Sequence, residues 1–386
     1  MNNINIVGNK CCGCRSCEQV CPKNAISFEF NKEGFLYPII NFDKCINCGI
    51  CVNKCPILVE SKKIESQECY SFVNPNQDDL LKSTSGGFAQ FLMRYYFDNG
   101  YYVCGCIYDD EFKPILMVTN DKTYLDKMIS SKYVQSDTSD VYSKIKILLD
   151  SGEKVLFIGL PCQVYGLLVY LGNKKYDNLL TVDLICHGVP STKLFIDYIK
   201  YVSLMENSNV VEYNFRLKKN NVWKARYYYK YCTEKKCRIG NLLLDKYGYD
   251  FLNCLNYRES CYQCKFANIE NRPADFTIGD FWGVHKNKLK PYYNKKGVSS
   301  LIVNTKKGKT FLESNIPSDS INKCDKNLIM QENLIRPSKR PISRDNYYDD
   351  YKDWTFWKNK KPVWFRHYSK RLIAKISNLF RKDKYE

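Results

Sequence analysis

From residue 70 onward the sequence alternates short apolar, β-branched or aromatic runs with longer amphipathic ones. Candidate strands fall at 101–108, 114–119, 154–159, 179–185, 210–217, 224–231, 275–279 and 299–304. Candidate helices fall at 88–98, 139–150, 162–171, 191–204 and 306–314. This alternation predicts an α/β or α+β body. Residues 155–172 run for eighteen positions without a charge, long enough to suggest a membrane span. Yet Val155 to Ile158 is mostly β-branched or aromatic, Gly159-Leu160-Pro161 interrupts the run, and Gln163 follows. A buried strand, a tight turn and a helix are predicted there instead.

Residues 1–58 follow a different pattern. Phe28, Phe30, Phe35, Tyr37, Ile39 and Ile40 lie between two cysteine-rich runs and predict a small pair of strands. The polar stretch Val59 to Glu68 reads as a linker over 59–69. A body over 70–335 and a basic, aromatic tail over 336–386 complete the division, in keeping with 386 residues being more than one compact core usually serves. In the tail, Tyr368, Leu372, Ile373, Ile376, Leu379 and Phe380 recur at three- and four-residue steps. Arg366, Lys370, Arg371, Lys375, Arg381 and Lys382 take much of the opposite side, and Trp354, Trp357 and Trp364 come before. Such a helix over 365–382 suits peripheral contact with an anionic membrane face. It equally suits a helix packed on its own domain.

The two cysteine runs decide the chemistry. Cys11, Cys14, Cys17, Cys21-Pro22 and Cys45, Cys48, Cys51, Cys55-Pro56 each read C-x2-C-x2-C-x3-C-P. This is the signature of a two-cluster ferredoxin, in which the fourth cysteine of each run ligates the other cluster. One 4Fe-4S cluster is therefore assigned to Cys11, Cys14, Cys17 and Cys55, the second to Cys45, Cys48, Cys51 and Cys21. Zinc also takes four thiolates, but two complete runs each closing in Cys-Pro are far more specific than isolated pairs. Cys12 lies outside the pattern and reads as a packed bystander. Twenty cysteines, eight of them in these runs, point to a reducing cytoplasm and to metal in place of disulfides. Met1 to Lys10 lacks a basic start followed by an apolar stretch, so no signal peptide is expected.

The net charge of +18 is uneven, with six Lys/Arg against five Asp/Glu in 1–60 but fourteen against six in 337–386. A basic body attracts acidic electron carriers, acidic substrates or an anionic membrane. No nucleic-acid module is recognisable, so that partner is not expected.

In the body the chemistry-bearing residues fall in loops. Ser83-Thr84-Ser85-Gly86-Gly87 precedes a helix and could cradle a phosphate or simply cap the helix. Ser131-Lys132-Tyr133-Val134-Gln135-Ser136 offers a lysine at a strand end. Gly159-Leu160-Pro161-Cys162-Gln163 puts a thiol at a helix N-terminus, where a depressed pKa is expected. Cys186-His187-Gly188-Val189-Pro190-Ser191, Cys261-Tyr262-Gln263-Cys264 and Gly279-Asp280-Phe281-Trp282 follow. No G-x-G-x-x-G opens a βαβ unit, and Gly308-Lys309-Thr310 lacks the first glycine of a P-loop.

Taken together and in this order, these blocks resemble the coenzyme F420 hydrogenase/dehydrogenase beta-subunit family over roughly 70–305. The resemblance implies a bacterial-type ferredoxin fold followed by a mixed α/β FAD-binding domain. It implies an oxidoreductase that passes electrons between 4Fe-4S clusters, FAD and an organic or deazaflavin-like substrate, with links to exopolysaccharide biosynthesis among bacterial members. An alternative is an electron-transfer subunit docked on a separate catalytic partner. Either way an electron donor such as ferredoxin or another redox protein is expected. One-electron clusters need a converter such as a flavin to deliver a hydride. Within the family-like blocks, Cys162, Cys186, Cys261 and Cys264 would hold a third 4Fe-4S cluster. Ser85, Gly86, Gly87, Lys132, Gly159, Gln163, His187, Gly188 and Asp280 would contact FAD. Lys132 would stabilise anionic reduced flavin, and His187, with an unperturbed pKa near neutrality, would protonate product. Cys69, Cys104, Cys106, Cys232, Cys237, Cys254 and Cys324 are left as structural.

Overall fold

The computed structural model describes residues 2–61, 67–172, 174–223 and 228–363, with backbone alone at 285–287. The predicted helix over 365–382 lies outside the described residues, as do 62–66 of the expected linker.

The N-terminal module is built around its cysteines. Strands β1 (Ile26–Phe30) and β2 (Leu36–Ile40) pair antiparallel, with Ile26 opposite Ile40. Ile4, Val7, Ile26 and Ile40 pack with Cys11, Cys17, Cys51 and Cys55 into one small core. So few apolar residues make a thin core. The module sits on a mixed α/β body.

The body is a three-layer structure around an eight-stranded sheet. Its strands are β3 (Glu68–Phe72), β4 (Tyr102–Tyr108), β5 (Pro114–Thr119), β6 (Val155–Gly159), β7 (Leu179–Leu184), β11 (Phe276–Asp280), β12 (Ser299–Val303) and β13 (Ile321–Lys323), in the spatial order β13-β3-β12-β11-β7-β6-β4-β5. β4, β6, β7 and β11 run parallel, while β5, β12, β3 and β13 pair antiparallel. β3 begins inside the stretch expected to be linker. Its polar neighbours mask a short strand whose Cys69, Ser71 and Phe72 are buried.

Every residue of β6 is buried. Leu156 and Ile158 face the core under helix Phe88–Asp98, and Val155 and Phe157 face the core under helices Val141–Asp150 and Pro161–Leu171. A strand covered on both faces needs no alternation. That, followed by a buried helix, accounts for the uncharged run at 155–172. No helix among the described residues is long and apolar enough to cross a membrane.

A second, aromatic core lies beyond the sheet. Helix Thr192–Glu206 packs on strand β8 (Val210–Leu217), which with β9 (Tyr228–Thr233) and β10 (Cys237–Asn241) makes a three-stranded sheet. Phe195, Tyr198, Tyr213, Phe215, Tyr247 and Trp357 interlock there. Residues expected in a separate tail thus belong to this core. Trp357 is fully buried and donates from Nε1 to Leu194 O at 3.2 Å, so it is a packing residue and not an interfacial anchor. Across the β9–β10 hairpin, register sets Cys232 opposite Cys237, and the two are joined in a disulfide. The expectation of metal in place of disulfides fails at this pair.

Three arginines clamp the module to the body. Arg15 reaches Asp137 at 2.6 Å, Arg344 meets Glu33 at 2.8 Å, and Arg258 donates to Cys11 O at 2.6 Å and Leu36 O at 2.9 Å. Phe35, from the turn of the β1–β2 hairpin, inserts into the aromatic core.

Asp137 is buried, which alone would raise its pKa, but Lys113 and Arg15 outweigh burial and hold it below the usual carboxylate range. Its ion pairs therefore stabilise the fold above the unfolded carboxyl pKa of about 3.9, and that stability drains away as pH falls through the lower folded value. Asp137→Asn should cost about 3 kcal/mol at pH 7, the typical loss on breaking a buried pair. Urea unfolding at pH 7 and pH 3 checks this: the variant's deficit should shrink at the lower pH.

Candidate functional site

In open α/β sheets, ligands sit beyond the carboxyl ends of the parallel strands. Here β6 ends at Gly159, β7 leads into Ile185-Cys186-His187, and β11 ends at Asp280. These ends, together with the Ser83–Gly87 turn and the 128–136 loop, enclose a cavity of about 310 Å³. That volume lies within the range of small-molecule and cofactor sites.

Most residues expected to touch a flavin are gathered here. Ser85, Gly87, Lys132, Gly159, Gln163, His187, Gly188 and Asp280 all line the cavity. Gly86 stands behind it: a Cβ there would meet Phe72 O and Ser299 N at 2.2 Å, so this glycine lets the turn lie on the sheet. Gly87 adopts the left-handed region at φ 84° and opens the eleven-residue helix Phe88–Asp98, whose first turn faces the cavity. First-turn N–H groups have no partner within their helix, which makes this end suited to an anion.

Several side chains already have other partners. Ser85 Oγ donates to Val298 O at 2.7 Å. Gln163 accepts from Leu160 N–H at 3.0 Å and donates to Ser136 Oγ at 2.9 Å, bracing two loops against each other. Lys132 Nζ donates to Lys127 O at 3.0 Å and Ile129 O at 3.4 Å, and burial lowers its pKa. His187 is open to the cavity space yet walled by protein, and burial lowers its pKa despite the opposing charge of Asp280. Gly188 has φ 138°, and a Cβ would meet the Tyr257 ring at 2.3 Å, so only glycine fits there.

Some residues at the site carried no sequence signal. Arg216 from β8 donates to Tyr133 Oη at 2.9 Å and Asp280 Oδ2 at 3.3 Å, inside the cavity wall. Lys218, two residues on, donates to Ser85 O at 2.6 Å and Ser83 Oγ at 3.3 Å, and so holds the turn from behind. Trp282, which does belong to the Gly279–Trp282 block, lines the cavity and packs its ring 4.9 Å from that of Trp223.

The cysteines fall into three groups. Cys21, Cys45, Cys48 and Cys51 surround one small cavity, of which Cys48 is exposed. Cys17 lies within electrostatic reach of Cys11 and Cys55, all three buried, and burial leads the effects that push its bare thiol pKa well up. Cys162, Cys186, Cys261 and Cys264 come from three loops to line a second large cavity, of about 260 Å³. Cys12 lines it too, with its free thiol hydrogen-bonded to those of Cys14 and Cys162, and so is more than a packed bystander. For the bare Cys162 thiol, the low pKa expected at its helix N-terminus is opposed by its neighbours. The hydrogen bond with Cys12, then burial, raise it well above the ordinary thiol value. Among the described residues, no three His, Cys, Asp or Glu side chains are spaced to hold a single metal ion. Four thiolates of a cubane each take a different iron.

The two large cavities share a wall. Leu160, Gln163, Cys186, His187, Gly188 and Val189 line both. Helix Pro161–Leu171 closes the gap to the N-terminal module through Gly166, where a Cβ would lie 3.3 Å from Cys14 Sγ.

Residues 152–327 match the family described as the C terminus of the coenzyme F420 hydrogenase/dehydrogenase beta subunit, and residues 10–59 match the 4Fe-4S dicluster domain. Over 152–327 the chain is similar to the beta-subunit family. The match starts after the Ser83–Gly87 and Ser131–Ser136 blocks. A coenzyme F420-dependent sulfite reductase of Methanocaldococcus jannaschii is 28% identical over 163 residues, 41% of this chain and 24% of that protein. The ferredoxin-type protein NapF of Haemophilus influenzae is 48% identical over 44 residues, 11% of this chain and 25% of that protein. The chain thus spans about a quarter of the length of these curated relatives. A chain of the F420-reducing [NiFe] hydrogenase complex from Methanosarcina barkeri aligns over 70% of this chain and 86% of its own, at 17% identity and a TM-score of 0.45. The protein is an iron–sulfur protein related to redox enzymes and their subunits.

Burial, opposed by Asp280 and reinforced by Arg216 and Lys296, lowers the Lys218 pKa to about 7. The unfolded chain then holds a proton that the folded chain releases between pH 7 and about 10.4, so this group makes stability rise with pH across that window. Lys218→Met should remove that part of the slope, read from urea midpoints at pH 7 and 9.

Proposed function

We propose that the chain is an iron–sulfur flavoprotein oxidoreductase, with FAD in the 310 Å³ cavity and a third 4Fe-4S cluster on Cys162, Cys186, Cys261 and Cys264. The observation that carries this reading is the shared wall: a four-cysteine cavity abuts an apolar cavity whose rim includes a helix N-terminus and buried basic groups. FAD would supply the conversion between single electrons and a hydride. The chain's own residues would do the rest. The first turn of helix Phe88–Asp98, with Lys218 behind it, would face the diphosphate. Arg216 and Asp280 fix each other in the wall. His187, whose pKa is lowered by its partly desolvated setting, stands where the cavities meet and could exchange a proton with a bound substrate. Lys132 would offer its charge only by leaving the carbonyls of 127 and 129.

The outer cluster, on Cys21, Cys45, Cys48 and Cys51, is where a redox partner would dock. Cys48 is exposed, and Phe42, Ile46 and Ile50 are exposed apolar residues near it. A deazaflavin-like or other organic substrate completes the reading, and a place in exopolysaccharide biosynthesis rests on resemblance alone. The family's description as a beta subunit supports the second reading, a subunit that hands electrons to a catalytic partner.

Anaerobic purification with reconstitution tests the proposal. The expected yield is about twelve irons, four per cube, and one FAD per chain. Cys261→Ser/Cys264→Ser should lose about four irons and keep FAD. About eight irons in both proteins overturns the third cluster, and absence of FAD overturns the flavin. Turnover by the isolated chain separates the enzyme from the subunit.

A further inference from the structure

Arg258 is fully buried, yet it is paired unlike the other buried arginines. Arg344 has Glu33 and Glu259, and Arg272 faces Asp183 at 3.8 Å. Arg258 donates to Cys11 O at 2.6 Å, Leu36 O at 2.9 Å and Gln135 Oε1 at 3.0 Å, all neutral acceptors. The Tyr37 ring lies 4.0 Å from its guanidinium carbon. Among the described residues no carboxylate lies within ion-pair distance of it. Buried charges are ordinarily paired, and a guanidinium keeps its proton.

Geometry identifies the missing counter-charge. On one side Arg258 touches the chain at Cys11, the first cysteine of the inner ferredoxin set. On the other it lines the cavity of Cys162, Cys186, Cys261 and Cys264. Cys261 also donates its backbone N–H to Arg258 O at 2.9 Å. Cubes held by four thiolates are anionic, and reduction adds one electron, hence one further negative charge, with no proton taken from arginine. A fixed cation in a dry, low-dielectric setting favours the more negative state.

We propose that Arg258 is the counter-charge shared by the inner ferredoxin cluster and the third cluster, and that it raises the reduction potentials of both. For the third cluster this rests on the reading above; for the ferredoxin cluster it stands on the dicluster domain alone.

The test is an anaerobic redox titration of the full chain followed by electron paramagnetic resonance, with iron counted in every sample. Arg258→Gln removes the charge, and Arg258→Lys keeps it while losing the fork. In Arg258→Gln with full iron, the reduction equilibrium of the inner cluster should shift at least tenfold toward the oxidised form, 59 mV for one electron. Arg258→Lys should stay near the parent. Full iron with unmoved potentials in Arg258→Gln overturns the proposal. If Arg258→Gln loses iron, Arg258→Lys decides: retained iron and near-parent potentials support a charge requirement. Loss of iron there too assigns Arg258 to hydrogen bonding alone and overturns it. A chain that never shows a third cluster signal refutes the earlier reading while leaving the inner-cluster measurement intact.

Discussion

Electron transfer through protein needs its carriers close together and shielded from water, and here that depends on how the N-terminal module is docked. The module's own core is thin and largely cysteine. Its position comes from outside, through Arg258 on the Cys11 and Leu36 carbonyls, Arg344 on Glu33, Arg15 on Asp137, and Phe35 seated among the body's aromatics. Arginine suits this work because its planar fork can bond several acceptors at once while its stem packs on rings. The same contacts that hold the module also bring Cys12 and Cys14 against the helix carrying Cys162.

The body supplies the other half of the constraint. Four parallel strands end on one side of the sheet, so loops far apart in sequence arrive together. Cys162 and Gln163 follow β6, Cys186 and His187 follow β7, and Asp280 closes β11. Two cavities with a common wall follow from that polarity, since consecutive loops contribute to both.

Much of this was legible in the sequence. The two cysteine runs announce a ferredoxin module, and the strands from 101 to 119, 154 to 185 and 275 to 304 fall where apolar runs predict them. What escaped has physical reasons. β3 is short and flanked by polar residues, so its run looks like linker until the sheet pairs it on both sides with β12 and β13. The stretch from 344 to 363 is rich in charge and aromatics, a composition shared by tails and by cores built of tyrosine. Only tertiary packing shows that Trp357 and Tyr348 are interior. Arg216, Lys218 and Arg258 sit in no motif, because a single basic residue acquires its role from the partners that a fold brings to it.

The cysteine groups differ in exposure and in what borders them. Cys48 is exposed, the Cys11, Cys14, Cys17 and Cys55 set is buried, and the Cys162 set lies in a cavity bordered by the module on one side and by the larger cavity on the other. On the proposed reading, a carrier would meet the chain at the exposed Cys48 edge, and a substrate in the larger cavity would meet the Cys162 set across the shared wall. By seating the module against that second cavity, the docking arginines would fix the distance between the two.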